Sequence, residues 1–189
     1  MVILNGASSA GKSTLAGATQ AVLAAAGRPW IVFSWDDFVP RLPERWHGGP
    51  EDRGDDAADG CAYRLLRADP PVALLEVGEV GRRLLAGYHR AVAGLAAAGV
   101  DVLVEEVLIT RWEWDDWGAA LAAVDDVRWV AVRCDVETSV ARELARGDRY
   151  PGLARGTSVV VHEHPAYDVE LDTTTTPADE LAAALVATL

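Results

Sequence analysis

The segment that most constrains this chain is its N-terminal stretch. Residues 6–13, GASSAGKS, fit the pattern G-x-x-x-x-G-K-[S/T], and an apolar run, residues 1–5, precedes them. Apolar residues then recur at helical spacing from Leu15 to Ala26. A strand, a glycine-rich loop and a helix therefore follow one another in the order that a phosphate-binding loop requires.

In such a loop the backbone N–H groups converge on phosphate oxygens at the positive end of the helix dipole. We expect Lys12 to reach the terminal phosphates from a solvated position, and the Ser13 hydroxyl to ligate Mg²⁺. The alternative is an ordinary glycine turn before a helix, which the complete strand–loop–helix context disfavours. The predicted nucleotide-binding residues of the loop are Gly6, Ala7, Ser8, Ser9, Ala10, Gly11, Lys12, Ser13 and Thr14.

Composition narrows the class of protein. The 189 residues suit one domain, residues 1–189, and half of them are hydrophobic, which excludes a disordered chain. A net charge of −12 argues against a nucleic-acid partner or an anionic membrane surface. Cys61 and Cys134 lack metal-ligand spacing, and neither a signal peptide nor a membrane-length apolar run is seen, so we expect a cytoplasmic protein. The oligomeric state stays open.

The rest of the chain alternates apolar strands with helices, which predicts an α/β fold of three layers. Its centre is a parallel five-stranded sheet covered by helices. The predicted strands are residues 1–5, 30–35, 100–104, 127–132 and 169–171. The predicted helices, besides the one after the loop, are residues 38–46, 79–98, 112–123, 136–146 and 178–188.

Residues 47–77 form a predicted insertion on the acceptor side of the sheet. Residues 47–60 are rich in Gly and Asp and have no periodicity, which indicates a surface loop. The segments CAYRLL and VALLEV flank residues 67–71 and predict a β-hairpin.

Carboxylates follow two of the predicted strands, at the sheet edge where ligands of such folds bind. Asp36 and Asp37 follow the second strand, where one of them can accept the proton of an attacking hydroxyl. Asp37 is also a candidate N-cap for the helix predicted from Phe38. Glu105 and Glu106 follow the third strand, and either can serve Mg²⁺ or face the acceptor; a solvated strand end is the alternative.

Arg142, Arg146 and Arg149 have the spacing of one helix face if the helix extends that far. In so acidic a chain, a basic face suits a lid, residues 136–157, that closes on phosphates, with Gly147 and Gly152 permitting hinge motion. The alternative is a solvated face whose arginines pair with Glu143 and other acids.

Aromatic and histidine residues give weaker signals. Trp35 and Trp46 suit the wall of an acceptor pocket, because aromatic rings offer flat apolar area. Packing is the better interpretation for the remaining tryptophans of the second half, Trp112, Trp114, Trp117 and Trp129. His162 and His164 lack the further ligand that a metal site needs.

Several of these segments together resemble the chloramphenicol phosphotransferase family of P-loop kinases. The segments are ILNGASSAGKS, WIVFSWDDF, VLVEEVL, VAVRCDVETSVARELARGDR and YDVELDTT, and the likeness runs from Met1 to about Thr174. The resemblance implies a P-loop kinase fold, ATP binding by residues 6–13, and Asp36 as the catalytic base. It also implies that Arg146 and Arg149 belong to the lid, and that the loop after Asp172 lies near adenine.

The resemblance also shows two departures. Glu105 and Glu106 replace the paired Asp usual in the family, and residues 47–77 do not follow its pattern. The implied activity is O-phosphorylation of a small hydroxyl-bearing antibiotic, like that of chloramphenicol 3-O-phosphotransferase, which inactivates the drug and confers resistance. The residues predicted for catalysis are Asp36, Lys12, Arg146 and Arg149, and Arg146 is also predicted to bind ATP. The residues predicted to bind the acceptor are Asp36, Trp35, Trp46 and Glu106, and those predicted to bind Mg²⁺ are Ser13 and Glu105.

Other classes share part of this pattern. A kinase for a nucleoside or sugar-containing antibiotic, or a metabolic or toxin-type kinase of the shikimate-kinase or zeta-toxin kind, has the same core and lid. A nucleotide-dependent switch is the remaining alternative, but the guanine-reading pattern N/T-K-x-D is missing from the sequence. The choice between ATP and GTP stays open.

Overall fold

The computed structural model describes residues 1–49, 54–163 and 167–189. The strands are β1 Val2–Asn5, β2 Ile31–Ser34, β3 His47–Gly48, β4 Cys61–Ala68, β5 Pro71–Val77, β6 Val102–Glu106, β7 Arg128–Arg133 and β8 Val169–Asp172. The α-helices are α1 Lys12–Ala25, α2 Glu79–Ala97, α3 Arg111–Ala120, α4 Val136–Arg146, α5 Leu153–Val160 and α6 Ala178–Val186. Within these ranges, four 3₁₀ turns cover Trp35–Asp37, Val39–Arg41, Glu44–Trp46 and Leu121–Ala123.

Five strands form the main sheet in the order β2-β6-β1-β7-β8, and every neighbouring pair is parallel. The predicted parallel five-stranded sheet is therefore confirmed. The register places Asn5 beside Glu106, and Ser34 beside Glu105. The carboxyl ends of β1, β2 and β6 thus meet at one edge, next to the loop that follows β1.

Alternating side chains divide the core into two layers, one on each face of the sheet. Leu4 of β1 packs in the cluster with Leu15 and Leu23 of α1 and with residues of α6. Ile3, its neighbour in sequence, packs in the other cluster with residues of α2 and α3, such as Val92. The three-layer architecture expected from the sequence follows from this alternation.

A second sheet of three strands stands beside the first. β4 and β5 pair antiparallel, which confirms the predicted hairpin, and β3 pairs parallel with the start of β4. The hairpin packs against α5, where the Ala73 N–H donates to the Gly152 carbonyl at 3.0 Å. A Cβ at Gly156 would lie 1.9 Å from the Ala73 oxygen. Glycine is therefore required there, because only glycine lets the two backbones come this close.

The structure overturns two of the expected elements. The helix predicted at residues 38–46 is wrong: the segment forms two 3₁₀ turns, because Pro40 and Pro43 remove backbone donors that an α-helix needs. The loop predicted at residues 47–60 is wrong in part, since His47–Gly48 is a strand. Residues 50–53 of that loop, like His164, lie outside the described residues.

Other differences are shifts at the ends of elements. β2 ends at Ser34, so Trp35 begins a turn instead of closing the strand. β6 includes Glu105 and Glu106, which the sequence pattern had placed after the strand. Across the described ranges, no helix combines the length and apolar character needed to cross a membrane.

Candidate active site

A cavity of about 470 Å³ opens at the carboxyl edge of the main sheet. Residues from the glycine-rich loop, β2, β6, the hairpin, α4 and α5 surround it. The residues that line it include Ser8, Ser9, Gly11, Lys12, Ser13, Thr14, Trp35, Asp36, Tyr63, Leu75, Val77, Leu85, Glu105, Glu106, Arg142, Arg146, Arg149, Leu153 and Thr157. The structure thus brings most of the sequence-predicted site residues together.

The loop between β1 and α1 has the shape of an anion cradle. Gly11 has φ +92°, and a Cβ at Gly6 would lie 2.4 Å from the Val132 carbonyl oxygen, so both positions require glycine. Ser9 also has a positive φ, 59°, and its hydroxyl is buried without a hydrogen-bond partner in the described part of the chain. The Ser8 N–H donates to the Thr157 hydroxyl at 2.9 Å. These features fit a loop whose polar groups bind phosphate oxygens.

Lys12 lies inside this loop and not in solvent, which corrects the expectation of a solvated side chain. Its Nζ donates to the carbonyl oxygens of Gly6 at 2.9 Å and Ala7 at 2.7 Å, and the residue is 8% exposed. Burial lowers the pKa of Lys12 to about 8, against the opposing effect of Glu105 and Asp36. The side chain is buried because the loop wraps around it.

Ser13 and Glu105 form a pair of oxygen ligands. The Ser13 hydroxyl donates to Oε2 of Glu105 at 2.6 Å, and burial raises the pKa of Glu105. A hydroxyl beside one carboxylate fits Mg²⁺, which binds one or two protein oxygens and completes its shell with water and phosphate oxygens. No cluster of three or more metal-binding side chains occurs within residues 1–49, 54–163 and 167–189.

Glu106 lies deeper than its neighbour. It is 3% exposed, and its Oε1 accepts a hydrogen bond from Nε1 of Trp117 at 3.2 Å. Burial raises the pKa of Glu106 well above its ordinary value. Glu105 contacts the phosphate-binding loop, whereas Glu106 contacts α3, so the two carboxylates serve different sides of the cavity.

Asp36 stands in the 3₁₀ turn after β2, where its N–H donates to the Ser34 hydroxyl at 3.3 Å. Its carboxylate pairs with Nη1 of Arg149 at 2.5 Å. Trp35, beside it, is 9% exposed and also lines the cavity. Asp37 is not among the cavity residues, and the predicted cap role is wrong because no α-helix starts at Phe38.

The three arginines reach the cavity, but not from one continuous helix. α4 ends at Arg146 because Gly147 takes a left-handed conformation, φ +68°, so Arg149 lies in the following loop. Arg142 donates to the Thr173 carbonyl at 2.7 Å, and Arg146 pairs with Asp148 at 3.1 Å. The loop after β8 therefore contacts this side of the site through Thr173.

Glu143 is not a partner of these arginines. It is 5% exposed and accepts hydrogen bonds from the N–H groups of Gly152 at 2.7 Å and Ala154 at 2.6 Å. The carboxylate thus satisfies backbone donors at the start of α5. Gly152 also packs against Pro71, so it lies in a packed interface and not in a free hinge.

Trp46, which the sequence placed in the acceptor pocket, is not among the residues that line the cavity. Trp46 ends the 3₁₀ turn that follows Pro43, and the Arg45 guanidinium lies over its ring, 5.7 Å from the centroid. The packing role of the other tryptophans is confirmed: Trp114 and Trp129 pack at 4.7 Å, and Trp117 is fully buried. His162 contacts the Tyr167 hydroxyl at 2.8 Å.

Sequence reasoning missed cavity residues from the hairpin and α5. Tyr63, Leu75 and Val77 come from the hairpin, and Leu153 and Thr157 come from α5. Alternation in VALLEV places Ala73, Leu75 and Val77 on one face of β5, which could have identified two of them. α5 carried no clear signal, because RYPGLARG reads as an irregular segment.

The family model for chloramphenicol phosphotransferase-like protein matches residues 1–189. The chain belongs to this family. Among curated relatives, a Mycobacterium tuberculosis protein named "Putative O-phosphotransferase", found in the strains H37Rv and CDC 1551, is 35% identical over 96% of this chain and 78% of its own length. The family assignment by resemblance is confirmed.

Solved structures show the same fold. The Mycobacterium tuberculosis APS kinase CysC, in complex with AMPPNP and APS, has a TM-score of 0.67 at 17% identity and covers 98% of this chain and 94% of that one. A gluconokinase from Sinorhizobium meliloti 1021 has a TM-score of 0.59 at 18% identity, with 98% and 89% coverage. The family match and the curated relatives identify the chain as a kinase, and these likenesses show that it has the P-loop kinase fold.

Proposed function

We propose that this kinase transfers the γ-phosphate of ATP to a hydroxyl of a small antibiotic of the chloramphenicol kind, and that the phosphorylated drug is inactive. The observation that carries the proposal is one cavity that joins a phosphate cradle to an apolar wall, with a carboxylate, Asp36, beside Arg149. Residues 1–189 act as one cytoplasmic kinase domain, with residues 136–157 as its lid and residues 47–77 on the acceptor side.

Residues 6–14 would hold the phosphates of ATP. Backbone N–H groups of the loop and Nζ of Lys12 supply positive charge, and the buried Ser9 hydroxyl is available as a further donor. Lys12 would exchange its carbonyl partners, Gly6 and Ala7, for phosphate oxygens. Ser13 and Glu105 would hold Mg²⁺, which when bound neutralises charge on the β- and γ-phosphates.

Asp36 would act as the base. Its carboxylate accepts the proton of the acceptor hydroxyl while the hydroxyl oxygen bonds to the γ-phosphorus and the bond from phosphorus to ADP breaks. Arg149, now paired with Asp36 at 2.5 Å, must turn to the transferring phosphate for the carboxylate to meet the hydroxyl. Arg146 would add charge on the same side.

The acceptor would lie against the apolar residues of the cavity. Trp35, Leu75, Val77 and Leu85 form a wall suited to a ring or an alkyl group. Glu106 offers one polar contact within this wall. A small molecule with an apolar body and a free hydroxyl matches this arrangement, as do chloramphenicol and several other antibiotics.

The test is a screen of the purified protein with ATP and Mg²⁺ against a panel of hydroxyl-bearing antibiotics and central metabolites, read as a gain of one phosphate in product mass. We expect an antibiotic to be phosphorylated, and cells that express the protein to tolerate it better. The Lys12→Ala protein is the control for contaminating kinases. Phosphorylation of a central metabolite without any antibiotic would refute the proposed acceptor class.

A further inference from the structure

A buried polar cluster lies behind Glu106, and the chemistry proposed above does not use it. His89 of α2 is fully buried, and its Nδ1 lies 2.7 Å from Oδ2 of Asp116 on α3. Oδ1 of Asp116 also accepts from the exposed Arg90 at 3.2 Å. Nε2 of His89 has no hydrogen-bond partner among the described residues and lies 3.9 Å from Oε1 of Glu106.

Trp117 connects the histidine to the carboxylate. The His89 and Trp117 rings stack with centroids 4.2 Å apart and an interplanar angle of 26°, and Nε1 of Trp117 donates to the same Oε1 of Glu106 at 3.2 Å. Asp116 therefore fixes the histidine ring, the ring supports the indole, and the indole holds Glu106.

A buried histidine nitrogen without a partner is unfavourable, because it has lost its hydrogen bonds to water. Phenylalanine would fill the same space beside Trp117 without that penalty. The presence of a histidine at this position is explained if its ring restrains Glu106, whose carboxylate lines the cavity. Such restraint matters because a binding group must stay within a fraction of an ångström of its productive position.

We propose that Asp116 and His89 are positioning residues that act through Trp117 to hold Glu106 in the orientation that binds the acceptor. The inference rests on the proposed function, in which the acceptor occupies the wall beside Glu106. It adds that the acceptor carries a second polar group, a hydroxyl or an amide N–H, that donates to Glu106. That group is distinct from the hydroxyl that receives the phosphate.

The first test is a double-mutant cycle with chloramphenicol as the probe and ATP saturating. His89→Phe and Asp116→Asn should each lower kcat/KM for chloramphenicol by about tenfold and leave KM for ATP unchanged. In a Glu106→Gln background, His89→Phe should cause no further loss. The control is Arg90→Gln, which keeps the His89–Asp116 bond and should have no effect. The proposal would be overturned if the losses from His89→Phe and Glu106→Gln were additive in the double variant. Equal losses in kcat/KM for chloramphenicol and for ATP would also overturn it.

The second test needs no acceptor. The indole N–H signal of Trp117, assigned by its loss in Trp117→Phe, should shift in NMR spectra of the His89→Phe and Asp116→Asn proteins and stay in place in Arg90→Gln. An unmoved signal in both variants overturns the proposal. If the unmodified protein does not phosphorylate chloramphenicol, that acceptor is wrong, while the indole signal still decides the positioning role. Asp116→Asn keeps the shape of the side chain and serves if His89→Phe does not fold.

Discussion

Replacing Glu143 by Gln should loosen the start of α5 from α4. The Glu143 carboxylate accepts from two backbone N–H groups, those of Gly152 and Ala154, at 2.7 and 2.6 Å, and the residue is 5% exposed. A glutamine has one oxygen for these two donors, and its NH₂ group would face the other N–H. At least one charge-assisted hydrogen bond is lost, and one buried donor is left without a partner.

A hydrogen bond to a charged group contributes about 1.5–3 kcal/mol. We therefore expect the free energy of unfolding to fall by about 1.5–3 kcal/mol. For a chain of this size, each kcal/mol lowers Tm by about 2–4 °C, so Tm should fall by roughly 3–12 °C.

Urea denaturation and calorimetry measure both quantities. The matched control is Glu137→Gln on the same helix, whose side chain is 73% exposed and pairs with Arg155. That exposed pair should contribute about 1 kcal/mol or less. Equal losses in the two variants would refute the reasoning, because they would show that the buried bonds to α5 contribute no more than a surface ion pair.

Three further outcomes are expected. Asp36→Asn should lower kcat about 100-fold or more in a steady-state assay, with KM for ATP little changed, because the proton acceptor is lost. Asp37 is not among the cavity residues, so Asp37→Asn should keep near-normal kcat in the same assay. Lys12→Ala should abolish transfer and weaken ATP binding, measured by calorimetric titration, because the charge inside the loop is removed. His89→Phe should make the free energy of unfolding less dependent on pH. Burial lowers the pKa of His89, which lies beside Asp116, Arg90 and Glu106, to about 4 in the folded protein, whereas its pKa in the unfolded chain is about 6.5. Between pH 6.5 and 4, the free energy of unfolding of the unmodified protein should therefore fall by about 1.4 kcal/mol for each unit of decreasing pH because of His89. Urea unfolding measures this slope, and equal slopes in the unmodified and His89→Phe proteins would contradict the prediction.

The sequence predicted the main sheet and the phosphate cradle well, because both depend on local patterns. A short apolar strand, two obligatory glycines and a helix occupy adjacent positions in the chain, so Gly6, Gly11 and Lys12 could be assigned to the loop without tertiary information, although the burial of Lys12 was not predicted. The hairpin followed from alternation between turn residues. In each case the signal lies within a few residues of the structure that it specifies.

What the sequence did not predict depends on contacts between distant segments. Trp46 is predicted to line the pocket, yet it is not among the cavity residues, and its backbone packs closely against Gly60 of the insertion. Glu143 reads as a partner for nearby arginines on a helix face, but it is buried because α5, which had no clear pattern, folds over it. His89 and Asp116 are 27 positions apart and meet only because α2 and α3 pack together. The roles of these residues depend on which side chains become buried when separate elements pack together, and not on their spacing in the sequence.

The close backbone contact between the hairpin and α5 constrains how the protein can be re-engineered. Gly156 meets Ala73 with no room for a side chain, and the Gly152 carbonyl accepts a hydrogen bond from the Ala73 N–H on the same strand. The cavity residues Leu75, on the hairpin, and Thr157, on α5, therefore lie on two segments whose backbones pack closely against each other. A chimera that exchanges residues 61–77 with a relative's segment must also exchange residues 152–160, because a grafted hairpin with a different backbone path would collide with the native helix.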